Sequence, residues 1–122
     1  MIARIVCMSM CLLIVLLFLV AGCSSPEDLY EEGNAKSLEQ KYEDAISCYT
    51  KAINKLLNSN KLDYEMLGKL YSKRCSEYNY VGRYAESATD YVAIKDMIIQ
   101  GKINYNPNYI VSLCWQQIDL SG

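Results

Sequence analysis

Two segments at a fixed separation constrain the fold of this chain more than any other feature. Tyr42-Glu-Asp-Ala45-Ile-Ser-Cys-Tyr49-Thr-Lys-Ala52-Ile53 is echoed by Tyr84-Ala-Glu-Ser87-Ala-Thr-Asp-Tyr91-Val-Ala-Ile94. Tyr42 and Tyr84, Tyr49 and Tyr91, and Ala52 and Ile94 are each 42 residues apart (84−42, 91−49, 94−52). In both segments small and large apolar residues recur at steps of three and four, which places them on one face of a helix. Self-similarity at a period in this range is the mark of a helical repeat array, in which each unit buries its apolar face against its neighbour.

The punctuation between apolar stretches sets the helix bounds. Ser25-Pro-Glu-Asp28 reads as a helix start: a hydroxyl cap, a proline at the first helical position, and acids that complement the positive helix end. A first helix is predicted over Pro26–Glu39, marked by Leu29, Gly33, Ala35 and Leu38. Gln40-Lys41 turns the chain into a second helix, Tyr42 to Leu57, and Asn58-Ser-Asn60 supplies turn residues. Asp63 caps a third helix, Tyr64–Tyr80, which Gly82 breaks. A fourth spans Tyr84–Gln100, with Gly101 suited to its C-terminal cap. Asn106-Pro107 restarts a fifth helix carrying Ile110, Leu113, Cys114, Ile118 and Leu120.

Residues 1–22 read as a targeting segment. Arg4 gives a positive start, and Ile5–Val20 is an almost unbroken apolar run, short for a membrane span, that ends in the small pair Ala21-Gly22. Val20-Ala-Gly-Cys23 resembles the lipobox of bacterial lipoproteins. That resemblance implies cleavage before Cys23 and lipidation of its thiol, with palmitate among the acyl chains, which together give stable attachment without a span. An ordinary secretory signal and an uncleaved anchor helix are the alternatives. Residues 23–25 are then a lipidated N-terminus with almost no linker, so the helical domain 26–122 should sit against the membrane.

Composition closes several routes. The net charge of −2 gives no basic face for nucleic acid. There is no histidine, which removes the commonest general base and the commonest metal ligand. Eleven tyrosines against one phenylalanine suit half-buried seams where a ring packs and its hydroxyl stays wet. No Gly-rich phosphate loop is present, and Glu27, Asp28, Glu31 and Glu32 read as a solvated helix face. No catalytic residue, cofactor or metal site is expected. After the leader, Cys48, Cys75 and Cys114 remain beside Cys23. Core packing is the expected role of Cys75; a Cys75–Cys114 bridge or a metal site lacks a supporting spacing.

The arrangement resembles the tetratricopeptide repeat. Leu29, Gly33, Tyr42, Ala45, Tyr49 and Ala52 match a first repeat; Tyr71, Cys75, Tyr78, Gly82, Tyr84, Ser87, Tyr91 and Ile94 match a second. Small residues at Gly33, Ala45 and Ala52 let paired helices approach while Tyr49 fills the space beside them. Ser87 and Ile94 depart from the alanines of the family, and the period of 42 exceeds the family's usual value of about 34. The resemblance implies an all-α fold: a right-handed superhelical α–α array of about two extended helix pairs plus a C-terminal capping helix. The chain stops where a further second helix of a pair would begin, as a shortened form of a longer array would.

By the same resemblance, protein-contacting positions map to Tyr30, Asn34, Leu38, Lys69, Ser72, Lys73, Ser76 and Tyr80, with Cys114 beyond them. The clamp that chaperone-binding members use for a terminal carboxylate keeps only Asn34 here; Tyr30, Lys73, Val111 and Trp115 stand at its other positions. A groove of tyrosine, serine and lysine instead fits a peptide segment of another envelope protein. The expected role is a non-enzymatic scaffold or assembly factor of the bacterial cell envelope, lipid-anchored to the cell membrane or outer membrane and facing the periplasm or exterior. An accessory subunit of an envelope enzyme or transport complex is the alternative.

Overall fold

The computed structural model describes residues 6, 7, 9–11 and 24–104. Within them the chain is all-helical, with four helices in the body: α1 (Pro26–Leu38), α2 (Tyr42–Leu57), α3 (Tyr64–Tyr80) and α4 (Tyr84–Ile99). Cys23, Val111, Cys114, Trp115 and the fifth helix expected after Asn106 lie outside the described residues. No described helix is long and apolar enough to cross a membrane. The apolar run 5–20 falls largely outside what is described.

Each helix starts and stops for a local reason. Ser25 Oγ accepts from the Asp28 amide at 3.1 Å, and the Asp28 carboxylate accepts back from the Ser25 amide at 3.3 Å, a reciprocal capping box. Asp63 caps α3 through the Met66 amide at 3.0 Å. The two short turns share one backbone shape. Lys41 and Arg83 stand before α2 and α4 with φ near −90° and ψ of 69° and 68°. Before them come the left-handed residues Gln40 (φ 61°) and Gly82 (φ 77°). The period of 42 is therefore visible in the chain path itself.

Consecutive helices run antiparallel. Lys55 near the end of α2 donates to the Ser24 carbonyl just before α1. Tyr42 at the start of α2 stacks on Tyr80 at the end of α3, with ring centroids 4.8 Å apart and 7° between planes. Lys102 after α4 lies 5.1 Å over the Tyr64 ring at the start of α3. These contacts define two ends of the bundle. One gathers the turns 39–41 and 81–83, joined by the Arg83–Glu43 ion pair at 3.1 Å. The other gathers Ser24, the connection 58–63 and the exit from α4.

The core runs through all four helices: Leu29 of α1, Ala45, Tyr49, Ala52, Ile53 and Leu56 of α2, Leu67 and Leu70 of α3, and Ile94 and Met97 of α4, closed by Ile103. Ala45 and Ala52 are fully buried, as is the Tyr49 ring between them. Gly33 gives that ring its place. A Cβ at position 33 would stand 2.4 Å from Tyr49 Cε1, far inside contact distance. Cys75, at the equivalent point of α3 (75−33 = 42), is buried, with Sγ 3.1 Å from Ser87 Oγ and 3.4 Å from the Ser87 carbonyl.

Candidate functional site

The residues expected to contact a partner fall into two stripes. On α3, Lys69, Ser72, Lys73, Ser76 and Tyr80 follow steps of three and four and share one face along the helix. On α1, Tyr30, Asn34 and Leu38 do the same at steps of four. The stripes are tied together by an adjacent pair: the Ser37 hydroxyl of α1 donates to Glu77 Oε1 of α3 at 2.6 Å.

The two stripes are not uniformly open. Leu38 is 87% exposed and Tyr80 is 58% exposed, both at the turn end of the bundle. Lys69 and Lys73 are exposed, and Ser72 and Ser76 are half-buried. Lys69 reaches Glu65 only at 4.0 Å across open surface, an ion pair that contributes little and leaves the ammonium available. Asn34 and Tyr30 are partly turned to the interior. Asn34 Oδ1 accepts from the Tyr49 hydroxyl at 2.7 Å, and the Tyr30 ring lies 6.2 Å from the Tyr49 ring at 46°. Burial raises the Tyr49 phenol well above its usual range, so it stays a donor to Asn34.

Under this face lies polar chemistry that sequence reasoning passes over. Glu77 is buried, with Oε1 held by Ser37 and no hydrogen-bond partner for Oε2. Burial pushes its carboxyl above the ordinary range, against the opposing pull of the Ser37 hydroxyl and the Lys73 ammonium. The neighbouring interior contact is Arg74, whose guanidinium makes a bidentate pair with buried Asp90 of α4 at 2.6 and 2.8 Å and a third bond to Thr50 of α2 at 3.1 Å. It also lies 5.5 Å from the centroids of both Tyr71 and Tyr78. One side chain thus links three helices.

A signal for the buried acid was present in the repeat. Asp90 stands where the first unit has Cys48 (90−48 = 42), a buried position. An acid at an interior repeat position needs a cation opposite it, and Arg74 lies one helix back. Glu77 has no such signal, because its equivalent Ala35 is exposed (77−35 = 42).

Chemically, this face is mixed. It carries an exposed isobutyl chain, a phenol and two ammonium groups with two half-buried hydroxyls, and the carboxylates beneath it are engaged by Ser37 and Arg74. Glu27, Asp28, Glu31 and Glu32 lie in solvent. Among the described residues no three His, Cys, Asp or Glu side chains converge as metal ligands would. Among the described residues, the fold and this face define a small all-helical body with Leu38 and Tyr80 exposed at one end. No family model, curated protein or solved structure matches it.

Proposed function

We propose that this chain is a lipid-anchored, tetratricopeptide-like lipoprotein that scaffolds or helps assemble a protein complex of the bacterial cell envelope. Cys23 carries the lipid, and the α1–α3 face takes a peptide segment of another envelope protein. The observation that carries this reading is the exposure of Leu38 and Tyr80 at one end of the bundle, with Tyr80 at the head of a stripe of Lys69, Ser72, Lys73 and Ser76. An exposed aliphatic and a partly exposed aromatic side chain on a face that also carries serine hydroxyls and exposed ammonium groups would give an anchor with a polar rim, as protein-binding surfaces require. The repeated turn backbone at 40–41 and 82–83 supports the repeat reading.

The test is crosslinked capture from intact cells. Leu38→Ala with Tyr80→Ala, and separately Lys69→Glu with Lys73→Glu, should each reduce recovery of the captured protein by roughly ten-fold or more, the loss of about 1.4 kcal/mol or more of binding free energy. Unchanged recovery from both variants would move the binding surface elsewhere. Capture of one stoichiometric enzyme would assign the chain to the accessory-subunit class. Cys23→Ala should release the protein from membranes or block its processing, and normal processing with full membrane retention would reject lipidation.

A further inference from the structure

Exposed large apolar side chains stand at both ends of the bundle, but Ser24 leads into the first helix at only one of them. Ser24 lies at the end formed by the last turn of α2, the connection 58–63 and the exit from α4, where its carbonyl accepts from Lys55 Nζ. The apolar run closes at Val20, four residues before Ser24. Even fully extended, four residues span about 14 Å. Whatever membrane element precedes Ser24, a lipid on Cys23 or the run itself, it holds this end of the bundle close to the lipid surface.

That end also carries large apolar side chains in water. Leu57, the last residue of α2, is 50% exposed. Leu62, in the connection to α3, is 38% exposed, and Ile99, the last residue of α4, is 71% exposed. The contact of Lys102 with the Tyr64 ring brings the α4 exit beside the start of α3 and fixes Ile99 at the same end as Leu62. These residues sit at helix termini and in a connection, positions that reach beyond the bundle and are not covered by a neighbouring helix.

We propose that this end is a membrane-contacting surface, with Leu57, Leu62 and Ile99 entering the headgroup layer beside the anchor. The partner is a lipid surface, and the contact is apolar. Lys55, Lys61, Lys69, Lys95 and Lys102 stand at or near this end, but so do Glu27, Asp28, Asp63, Glu65 and Asp96, so no excess of positive charge selects anionic lipid. Apolar side chains held at a lipid surface gain by entering the boundary between headgroups and acyl chains, in proportion to the apolar area they bury. The array then stands with helix axes rising from the membrane and its Tyr42–Tyr80 end pointing away. The inference rests on the anchoring reading above and adds the orientation.

The experiment uses the full chain, extracted from membranes and reconstituted into neutral phosphatidylcholine vesicles, with Trp115→Phe removing the native indole. Leu62→Trp and Ile99→Trp report on the proposed contact, and Tyr80→Trp reports on the far end. Acyl-chain-brominated phosphatidylcholine should lower the emission of the first two variants roughly two-fold, as for an indole about 5–10 Å into the boundary region, and leave Tyr80→Trp unchanged. Helical circular dichroism confirms that each variant is folded, and the two independent reporters guard against failure of one. Flotation with the vesicles but no quenching at either Leu62→Trp or Ile99→Trp, or equal quenching at Tyr80→Trp, overturns the orientation alone. Failure to float overturns the anchoring reading and the orientation with it.

Discussion

Replacing Gly33 by alanine sets two well-measured effects against each other. In an exposed helix the change should stabilise by about 1 kcal/mol, because alanine is the better helix former. Here the new Cβ would stand 2.4, 2.8 and 2.9 Å from Cε1, Cδ1 and Cζ of Tyr49. Carbon atoms settle at about 3.5–4.0 Å, so ring or helix must yield by roughly 1 Å. The ring has little freedom to do so: it is fully buried, its hydroxyl is held by Asn34 at 2.7 Å, and Tyr30 packs beside it. Overpacking costs about 1–3 kcal/mol, and loss of the Tyr49–Asn34 bond about 1 kcal/mol more. The net expectation is a destabilisation of about 1–3 kcal/mol, or a fall in Tm of roughly 4–24 °C for a domain of this size. Thermal unfolding followed by circular dichroism at the helical band measures it. Tyr49→Leu supplies the control. In that background the clash is gone, and Gly33→Ala should become neutral or stabilising, giving a coupling of about 1 kcal/mol or more between the sites. A single Gly33→Ala variant that melts at or above the parent would refute the close approach of α1 and α2.

Three further outcomes follow from the polar interior and the turns. Asp90→Ala strands the Arg74 guanidinium and should cost about 3–5 kcal/mol in denaturant unfolding, whereas Arg74→Met with Asp90→Leu should cost far less; similar losses from both would mean that the pair is not desolvated. Glu77 has a raised carboxyl pKa because of burial, so folding favours its protonated form. Its contribution to stability is fully present below about pH 4.3 and is lost as pH rises through the folded-state value, at about 1.4 kcal/mol per unit of displacement. Glu77→Gln should therefore flatten this part of the stability–pH curve and melt higher than the parent at pH 8; an unchanged curve would place Glu77 in water. Gln40→Gly should stabilise by about 0.5–1 kcal/mol, the left-handed cost relieved less the added chain entropy. A loss on chemical denaturation would show that the Gln40 side chain has a role beyond its backbone.

The helices were legible because their boundaries are written in local chemistry. Tyr42–Leu57 and Tyr64–Tyr80 have the bounds that the turn and cap residues imply, and the first and fourth helices end one residue sooner than expected, at Leu38 and Ile99. Glu39 and Gln100 at those points are cap residues whose amides still bond into the last turn, so residue type alone does not separate them from the helix. The apolar stripe of α2 and the small residues Gly33, Ala45 and Ala52 also announced the core, since volume and periodicity are sequence properties. What could not be read was the spending of polar groups on tertiary contacts. Asn34 and Tyr30 have the composition of a binding groove, but half of each is committed to Tyr49, and only the packed structure shows it. Nothing in the sequence singles out Glu77; its place becomes visible only where α1 brings Ser37 across it.

The position of Arg74 decides how the array comes apart. Its guanidinium pairs with Asp90 of α4 and bonds the Thr50 hydroxyl of α2, so α4 cannot peel away without breaking a buried ion pair, and α2 cannot without losing a charged hydrogen bond. Repeat arrays ordinarily loosen one unit at a time from their ends. A clasp joining three of the four described helices removes that freedom among them, and denaturant should melt these helices in a single cooperative step. A protease cutting the 58–63 connection would then leave two fragments that remain together, neither able to keep its shape when separated.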